Sequence, residues 1–238
     1  MKRLTILIIV SMLMVFLPLS AQRRYLSSRS QAPFSRFQAV NLRLGLFIPA
    51  MNSDLWEINM ENLALNKQDM QDIYFEAEYE LFFNPILSLT FAAGSYDHEH
   101  YSQYTEYEYD DGSPIYQNLA LSVTSLELNL KVYPIGHRRV FSPYVGGGIG
   151  LNSWHYEQWG DFINFDDMTV SEGYADTKAY TLGFNARAGF IVKVRRNIGI
   201  SFEARYLYLQ GQLSSLFEGF EKLDMSGLTY SLGLNLFF

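Results

Sequence analysis

Apolar and polar residues alternate along most of this chain after residue 37. The first run has apolar side chains at the even positions 40–48, with Asn41, Arg43 and Gly45 between them. A period of two predicts β-strands, because successive side chains of a strand point to opposite faces. Seven further runs follow, within residues 73–81, 87–93, 119–132, 143–154, 180–192, 198–208 and 228–238. We therefore predict eight strands, each about as long as a tilted strand that crosses a bilayer.

Two runs depart from simple alternation. In residues 119–132 the apolar positions change parity near Thr124 and Ser125. One extra residue in a strand moves every later side chain to the other face, so we expect a β-bulge there. Residues 143–154 contain four glycines, a pattern suited to sharp curvature or close packing inside a small barrel.

The face opposite the apolar residues indicates which side of the sheet meets lipid. The apolar face carries no charge, whereas the opposite face carries small polar residues and nine ionisable groups. These are Arg43, Glu76, Glu78, Glu80, Glu127, Lys131, Arg187, Glu203 and Arg205. A water-facing sheet usually carries more Lys and Glu, and a charge in the middle of a bilayer costs about 2–4 kcal/mol for Arg or Lys. We therefore expect the apolar face to contact lipid, and the nine groups to form a structural ion-pair network inside a narrow lumen.

The connections between the predicted strands alternate in length. Short ones lie at Asn84-Pro85 and at residues 134–139 and 195–197; long ones lie at residues 51–72, 97–114, 155–177 and 211–224. Short periplasmic turns and long external loops are typical of outer-membrane barrels. The connection 97–114 has six acidic residues and no Lys or Arg. Closing the barrel leaves no free strand edge within the bilayer, as a membrane requires.

The N-terminus resembles an export signal. Lys2 and Arg3 precede an uncharged apolar run, and Ser20-Ala21-Gln22 offers a small-residue cleavage site. We predict a cleaved signal peptide at residues 1–21, a basic, Ser-rich periplasmic tail at 22–36 and a barrel at 37–238. The alternative is a retained membrane anchor, because the run of about 16 residues is slightly short for a span and long for a signal.

Composition excludes several classes of protein. With 238 residues and near-zero mean hydropathy (−0.04), the chain cannot form a bundle of membrane helices. Zero cysteines exclude a disulfide scaffold and thiolate chemistry. A net charge of −7 and a pI near 5.1 argue against nucleic acid as a partner.

Three stretches resemble the small eight-stranded outer-membrane β-barrels of Gram-negative bacteria, in particular the OmpW and OmpX-like group. They are residues 122–133, residues 142–150 and the C-terminal strand. That strand is similar to the assembly signal that such proteins present to the barrel-assembly machinery, with Tyr230, Leu232, Leu234, Leu236 and Phe238 as its residues. The resemblance implies an all-β, antiparallel, up-and-down barrel in the outer membrane, with membrane lipid and lipopolysaccharide as partners.

Candidate chemistry is weak. His98 and His100 could share a face with Asp97 or Glu99 nearby as a transition-metal site, but a solvated loop is the simpler interpretation. The carboxylates of residues 104–112 and 166–167 lack the fixed spacing of a calcium loop. Acyl transfer would need a Ser, a His base and an acidic orienter; the candidates are Ser153, His155, and Asp161 or Glu157. The His-x-Ser-Asn pattern that resemblance to barrel lipid A deacylases would require is missing. We expect no catalytic, cofactor or metal site.

Three functions remain open. The leading one is a non-enzymatic barrel whose long, acidic, Tyr-rich external loops bind a surface ligand of unknown identity or support envelope integrity. The tyrosines of this kind in residues 97–114 are Tyr101, Tyr104, Tyr107 and Tyr109. The second is a narrow passage for small hydrophobic molecules, as OmpW-like resemblance implies, with Phe47, Leu207 and Leu209 on the inward parity as the hint. The third is a lipid A-modifying enzyme.

Overall fold

A computed structural model describes residues 38–165, 167–217 and 219–238; the predicted signal peptide and tail lie outside this part of the chain. These residues form ten strands and one helix. The strands are β1 (Gln38–Pro49), β2 (Asp72–Phe82), β3 (Leu87–Glu108), β4 (Pro114–Val132), β5 (Phe141–Asn164), β6 (Thr169–Arg195), β7 (Ile198–Tyr208), β8 (Gln210–Gln212), β9 (Lys222–Asp224) and β10 (Gly227–Phe237). The helix is α1 (Asp54–Asn62).

Eight of the strands close into an antiparallel barrel in the order β1-β10-β7-β6-β5-β4-β3-β2, while β8 and β9 form a separate two-stranded ribbon. Each barrel strand pairs with the barrel strands that precede and follow it in the chain, so the topology is up-and-down. β1 closes the ring against β10, with Ala39 opposite Phe237 and Pro49 opposite Gly227. The predicted eight-stranded barrel is confirmed.

The two faces of the barrel have the predicted character in its lower half, the half at which the chain ends. Ile200 and Leu232 point outward and are 51% and 64% exposed, whereas Arg43 and Arg187 point inward and are 2% and 3% exposed. Because the outer face here is apolar and the inner face polar, this half is inside out relative to a water-soluble barrel.

Four strands are about twice as long as the others. β3, β4, β5 and β6 have 22, 19, 24 and 27 residues, whereas β1, β2, β7 and β10 have 11 or 12. Pairing of β2 with β3 stops at Tyr74 and Tyr96, and pairing of β7 with β6 stops at Tyr208 and Phe184. The four long strands therefore continue upward as a sheet, called here the upper sheet (residues 97–108, 114–124, 153–164 and 169–182).

The upper sheet corrects two sequence predictions. Residues 97–114 and 155–177 were expected to be loops, but they are mostly strand, with tight turns near Gly112 and Met168. In these stretches the outward residues are mostly acidic, polar or aromatic, and the inward ones include Tyr104 and Tyr156. Their composition resembles a loop because the outer face is in water rather than in lipid.

The bulge expected near Thr124 and Ser125 is also wrong. β4 pairs in continuous register with β3 through this region, from Val132 opposite Leu87 to Tyr116 opposite Gln103, and pairs without a shift with β5. Leu119, Leu121 and Val123 point inward and are buried, whereas Leu126, Leu128, Leu130 and Val132 point outward and are exposed. The apolar residues change faces while the strand stays regular.

The connection 51–72 forms the helix α1, which adds one helix to the predicted all-β fold. Asp54 and Glu57 lie in its first turn, where acidic side chains interact favourably with the helix dipole. Leu55, Trp56 and Asn59 form its buried face. Trp56 donates a hydrogen bond from Nε1 to the carbonyl of Asp224 (2.8 Å), which fixes α1 above the lumen. No helix among the described residues is long and apolar enough to cross a membrane.

Candidate functional site: the lumen and the upper sheet

The interior of the barrel is filled by three layers of side chains. The lowest is an aromatic and aliphatic floor of Ala39, Phe82, Tyr133, Tyr144, Ile191 and Phe237. The highest, called here the upper core, is an apolar cluster that includes Phe47, Trp56, Leu119, Leu121, Val123, Trp154, Tyr156, Leu207 and Leu209. Between them lies a polar layer that contains all nine ionisable residues singled out from the sequence, each at most 5% exposed.

The polar layer is a connected network of charges. Arg43 lies 2.6 Å from Glu76 and 3.1 Å from Glu78, and Lys131 lies 2.5 Å from Glu78. Arg187 lies 2.6 Å from Glu127 and 3.2 Å from Glu78.

Arg205 and Glu203 also belong to the network. Arg205 pairs with Glu127 at the upper side of the layer, and Glu203 is reached by Arg187 at 3.3 Å. Because buried opposite charges are costly when separated, these contacts hold the layer together as a unit.

Glu80 is held differently from the other carboxylates. It accepts hydrogen bonds from Ser88 (2.5 Å), Tyr133 (2.6 Å) and the amide of Asn41 (3.0 Å). Neutral donors thus satisfy both of its oxygens at the junction of the polar layer and the floor.

Sequence reasoning did not assign the amides and tyrosines that complete this network. Asn185 donates hydrogen bonds to Glu127 (3.0 Å) and to Asn129 (2.7 Å), and Tyr144 donates one to Glu203 (2.7 Å). Asn129 on β4, Tyr144 on β5 and Asn185 on β6 share the inward parity of the charged residues, and this parity could have identified them from the sequence. The glycines of β5 make room for the network, since a Cβ at Gly150 would lie 2.9 Å from Cγ of Glu127.

The residues that suggested a passage lie in the upper core. Phe47, Leu207 and Leu209 are 3%, 4% and 0% exposed, and the ring of Phe47 packs edge-on against Tyr96 with centroids 4.8 Å apart. They point into the interior as their parity indicated. They contribute to the packing of the barrel interior and do not line an open channel in this structure.

The candidate metal ligands are divided between the two faces of β3. His98 and His100 point inward, and His98 Nδ1 lies 2.8 Å from Asp72 Oδ2, whereas the neighbouring Asp97 and Glu99 point outward and are exposed. Within the described residues, no three or more His, Cys, Asp or Glu side chains are grouped so that they could hold a metal ion. Asp167 accepts hydrogen bonds from Thr169, and Asp166 lies outside the described residues.

The candidate acyl-transfer residues lie on the outer face of the upper sheet. His155 Nε2 lies 3.1 Å from Asp176 Oδ2, and its Nδ1 lies 3.4 Å from Glu157 Oε2. Both ring nitrogens of His155 therefore face carboxylates, and Ser153 is on the same strand face, at the preceding outward position. Asp161 lies farther along β5, close to the top of the strand.

The same outer face carries a row of aromatic rings across all four strands of the upper sheet. Asn118 on β4 lies between Tyr101 on β3 and Trp159 on β5, and Trp159 lies opposite Tyr174 on β6. Tyr116, the aromatic residue of β4, lies beside this row. Tyr101, Tyr116 and Tyr174 are 72%, 54% and 57% exposed. Much of each of these rings is therefore open to contact with a partner.

Carboxylates surround this aromatic row. Across residues 97–108, 114–124, 153–164 and 169–182 there are eight acidic residues and one lysine, Lys178. Tyr174 donates a hydrogen bond to Glu157 (2.6 Å), and this bond raises the pKa of Tyr174 to about 12. The outer face of the upper sheet is therefore both aromatic and strongly negative.

The predicted assembly residues all lie on the outer face of the barrel. Tyr230, Leu232 and Leu234 alternate with inward Ser231 and Gly233 along β10. Phe238 is 44% exposed and exchanges backbone hydrogen bonds with Gln38, the first described residue of β1. The end of the chain thus forms part of the seam that closes the barrel.

Comparison with known proteins identifies the family. The model of the outer membrane protein beta-barrel domain matches residues 13–238. The chain belongs to this family. Its place is therefore the outer membrane of a Gram-negative bacterium. Because outer-membrane barrels have short periplasmic turns and long external connections, we expect the lower half to lie in the bilayer and the upper sheet to be extracellular.

Solved structures show the same fold. The outer membrane protein OprG from Pseudomonas aeruginosa is 13% identical, with a TM-score of 0.56, covering 85% of this chain and 96% of its own. A major outer membrane protein from Thermus thermophilus is 10% identical, with a TM-score of 0.51, covering 86% of this chain and 100% of its own. At these identities the likeness concerns the fold alone. No curated protein matches the chain.

Proposed function

We propose that this protein is a non-enzymatic outer-membrane barrel whose upper sheet binds a basic polypeptide at the cell surface. The observation that carries the proposal is the outward-facing aromatic row of Tyr101, Trp159 and Tyr174 among carboxylates. A lysine or arginine side chain is attracted to the face of a Tyr or Trp ring, and carboxylates around the ring favour the same cation. One surface thus supplies both contacts that a basic partner needs.

The barrel itself supports this function as an anchor. Its polar layer and floor fill the lumen, and the four long strands hold the aromatic row above the bilayer on a continuous hydrogen-bonded sheet. Binding surfaces on regular strands are held more precisely than those on loops. The upper sheet therefore presents one continuous hydrogen-bonded face.

Titration of a lysine-rich peptide onto the protein in lipid nanodiscs tests the proposal. Trp159→Ala should weaken binding about three- to fivefold, as expected for one exposed cation–π contact. Glu157→Gln and Glu172→Gln together should weaken it further and flatten its dependence on salt, because surface charge attraction is screened by ions.

Tyr206→Ala is the matched control, since this tyrosine is on the outer face of β7, away from the upper sheet, and its removal should leave binding unchanged. A glutamate-rich peptide of the same length should not bind. Equal affinity for the two peptides, or no effect of Trp159→Ala, would refute the proposal.

A further inference from the structure

We propose that a cleft on the inner face of the upper sheet binds an uncharged small molecule that combines an apolar ring or chain with an amide or hydroxyl group. The cleft has a volume of about 790 Å³ and lies between α1, the upper sheet and the residues Ser215, Leu216, Phe217 and Phe220. That volume is within the range of small-molecule sites. The cleft is on the opposite face of the sheet from the aromatic row, so this inference is independent of the proposed function.

The described residues that line the cleft are all neutral. Its apolar part includes Leu55, Ile58, Leu63, Tyr104, Phe162, Phe165, Leu216, Phe217 and Phe220, and its polar part consists of Asn59, Asn62, Gln117, Gln158, Asn164 and Ser215. Among the described residues that line it, none is charged, although the outer face of the same sheet is crowded with carboxylates. Apolar walls with a few amide groups suit a neutral amphiphile, because burying a charge without a partner is costly.

Gln117 supplies the observation that points to a ligand. It is on β4, lines the cleft and is 3% exposed. Within the described residues, its side-chain amide forms no hydrogen bond. The amide atoms themselves remain accessible from the cleft and are available to a molecule bound there. A ligand with an amide or hydroxyl group would bond to this amide in place of water.

The other buried amides of the cleft are already engaged. Gln158 donates a hydrogen bond to Asn59 Oδ1 (3.1 Å), and Asn59 donates one to the hydroxyl of Tyr156 (3.0 Å). These bonds fix α1 against β5 and give the cleft a defined shape before a ligand arrives. Gln117 is therefore the group with spare hydrogen-bonding capacity.

The cleft is closed toward the membrane. Tyr156 is one inward position below Gln158 on β5, and its ring packs against Trp56 and Phe217 with centroids 5.3 and 5.6 Å apart. The upper core and the polar layer lie beneath. A bound molecule would consequently be held at the cell surface and would not pass through the barrel.

Titration of benzamide onto the protein in detergent-free lipid nanodiscs tests this inference. Benzamide is neutral and joins a ring to an amide, whereas benzoate has the same shape with a negative charge. We expect saturable binding of benzamide, with benzoate at least about tenfold weaker, because no described lining group compensates its charge. Empty nanodiscs measure partitioning into lipid.

Gln117→Leu should weaken benzamide binding about tenfold, as expected for a lost hydrogen bond, while leaving binding of toluene intact. Gln103→Leu is the control, since Gln103 is exposed on the outer face of β3. The inference is wrong if benzamide shows no saturable binding up to about 10 mM, if benzoate binds equally well, or if Gln117→Leu and Gln103→Leu behave alike. The peptide titration is unaffected by these outcomes, so the two proposals fail separately.

Discussion

Arg187 is at the centre of the lumen, where its guanidinium lies within 3.4 Å of four carboxylates, those of Glu76, Glu78, Glu127 and Glu203. Five donors in a fixed plane allow one arginine to serve several acceptors, which a lysine could not do in the same geometry. Removing it would leave several buried carboxylates facing one another. The residue is therefore a structural centre of the polar layer.

Arg187→Leu should lower the free energy of unfolding by about 3–5 kcal/mol, because it leaves buried charges uncompensated. Arg139→Leu, at an exposed position in the turn between β4 and β5, should change it by no more than about 0.5 kcal/mol. Urea unfolding in lipid vesicles measures both. Equal stability of the two variants would show that the network is dispensable.

At the scale of the element, β4 marks the boundary between membrane and water. Below Thr124 and Ser125 its apolar residues point out to lipid, and above them the apolar residues point into the upper core. The solvent of the outer face changes at that level from hydrocarbon to water, and the preferred face for apolar side chains changes with it. A regular strand therefore contains two opposite alternation patterns.

Two substitutions on the outer face of β4 test this boundary. Leu128→Arg should destabilise the folded barrel by about 2–4 kcal/mol, the cost of an arginine on the lipid face near the bilayer centre. Ala120→Arg, higher along the same strand face, should be neutral within about 0.5 kcal/mol, because its side chain enters water. Unfolding in vesicles distinguishes them, and an equal cost for both would place the boundary elsewhere.

At the scale of the whole molecule, the floor, the polar layer and the upper core occupy the barrel from end to end. An eight-stranded barrel has an interior just wide enough to be filled by side chains. Here the side chains are also cross-linked by ion pairs and covered by α1. The molecule consists of a closed membrane anchor and a sheet that stands above it.

The purified protein should therefore give no stable conductance steps in a planar lipid bilayer, whereas a general porin in the same bilayer would. The same preparation should migrate faster on an unboiled gel than on a boiled one, which verifies that the barrel is folded. Regular conductance steps from protein that shows this mobility shift would contradict a closed lumen.

The sequence alone predicted the barrel and the contents of its polar layer because both depend on a period of two. Arg43, Glu78 and Arg187 share the inward parity, and a narrow closed barrel brings inward residues together whatever their separation along the chain. The sequence did not predict that Glu80 would be satisfied by Ser88 and Tyr133 rather than by a cation. That outcome depends on the stagger between strands, which alternation does not encode.

The hydrophobic pattern by itself determined the number of barrel strands and the face that meets lipid in the lower half, since the bilayer imposes a simple rule on every strand that crosses it. Above the bilayer that rule no longer applies. Only the tertiary structure showed that the acidic stretches continue as strands, that α1 covers the lumen, and that Tyr101, Trp159 and Tyr174 align in one row while Gln117 faces a cleft. Strand pairing decides these positions, because residues far apart in sequence become neighbours only through the register of the sheet.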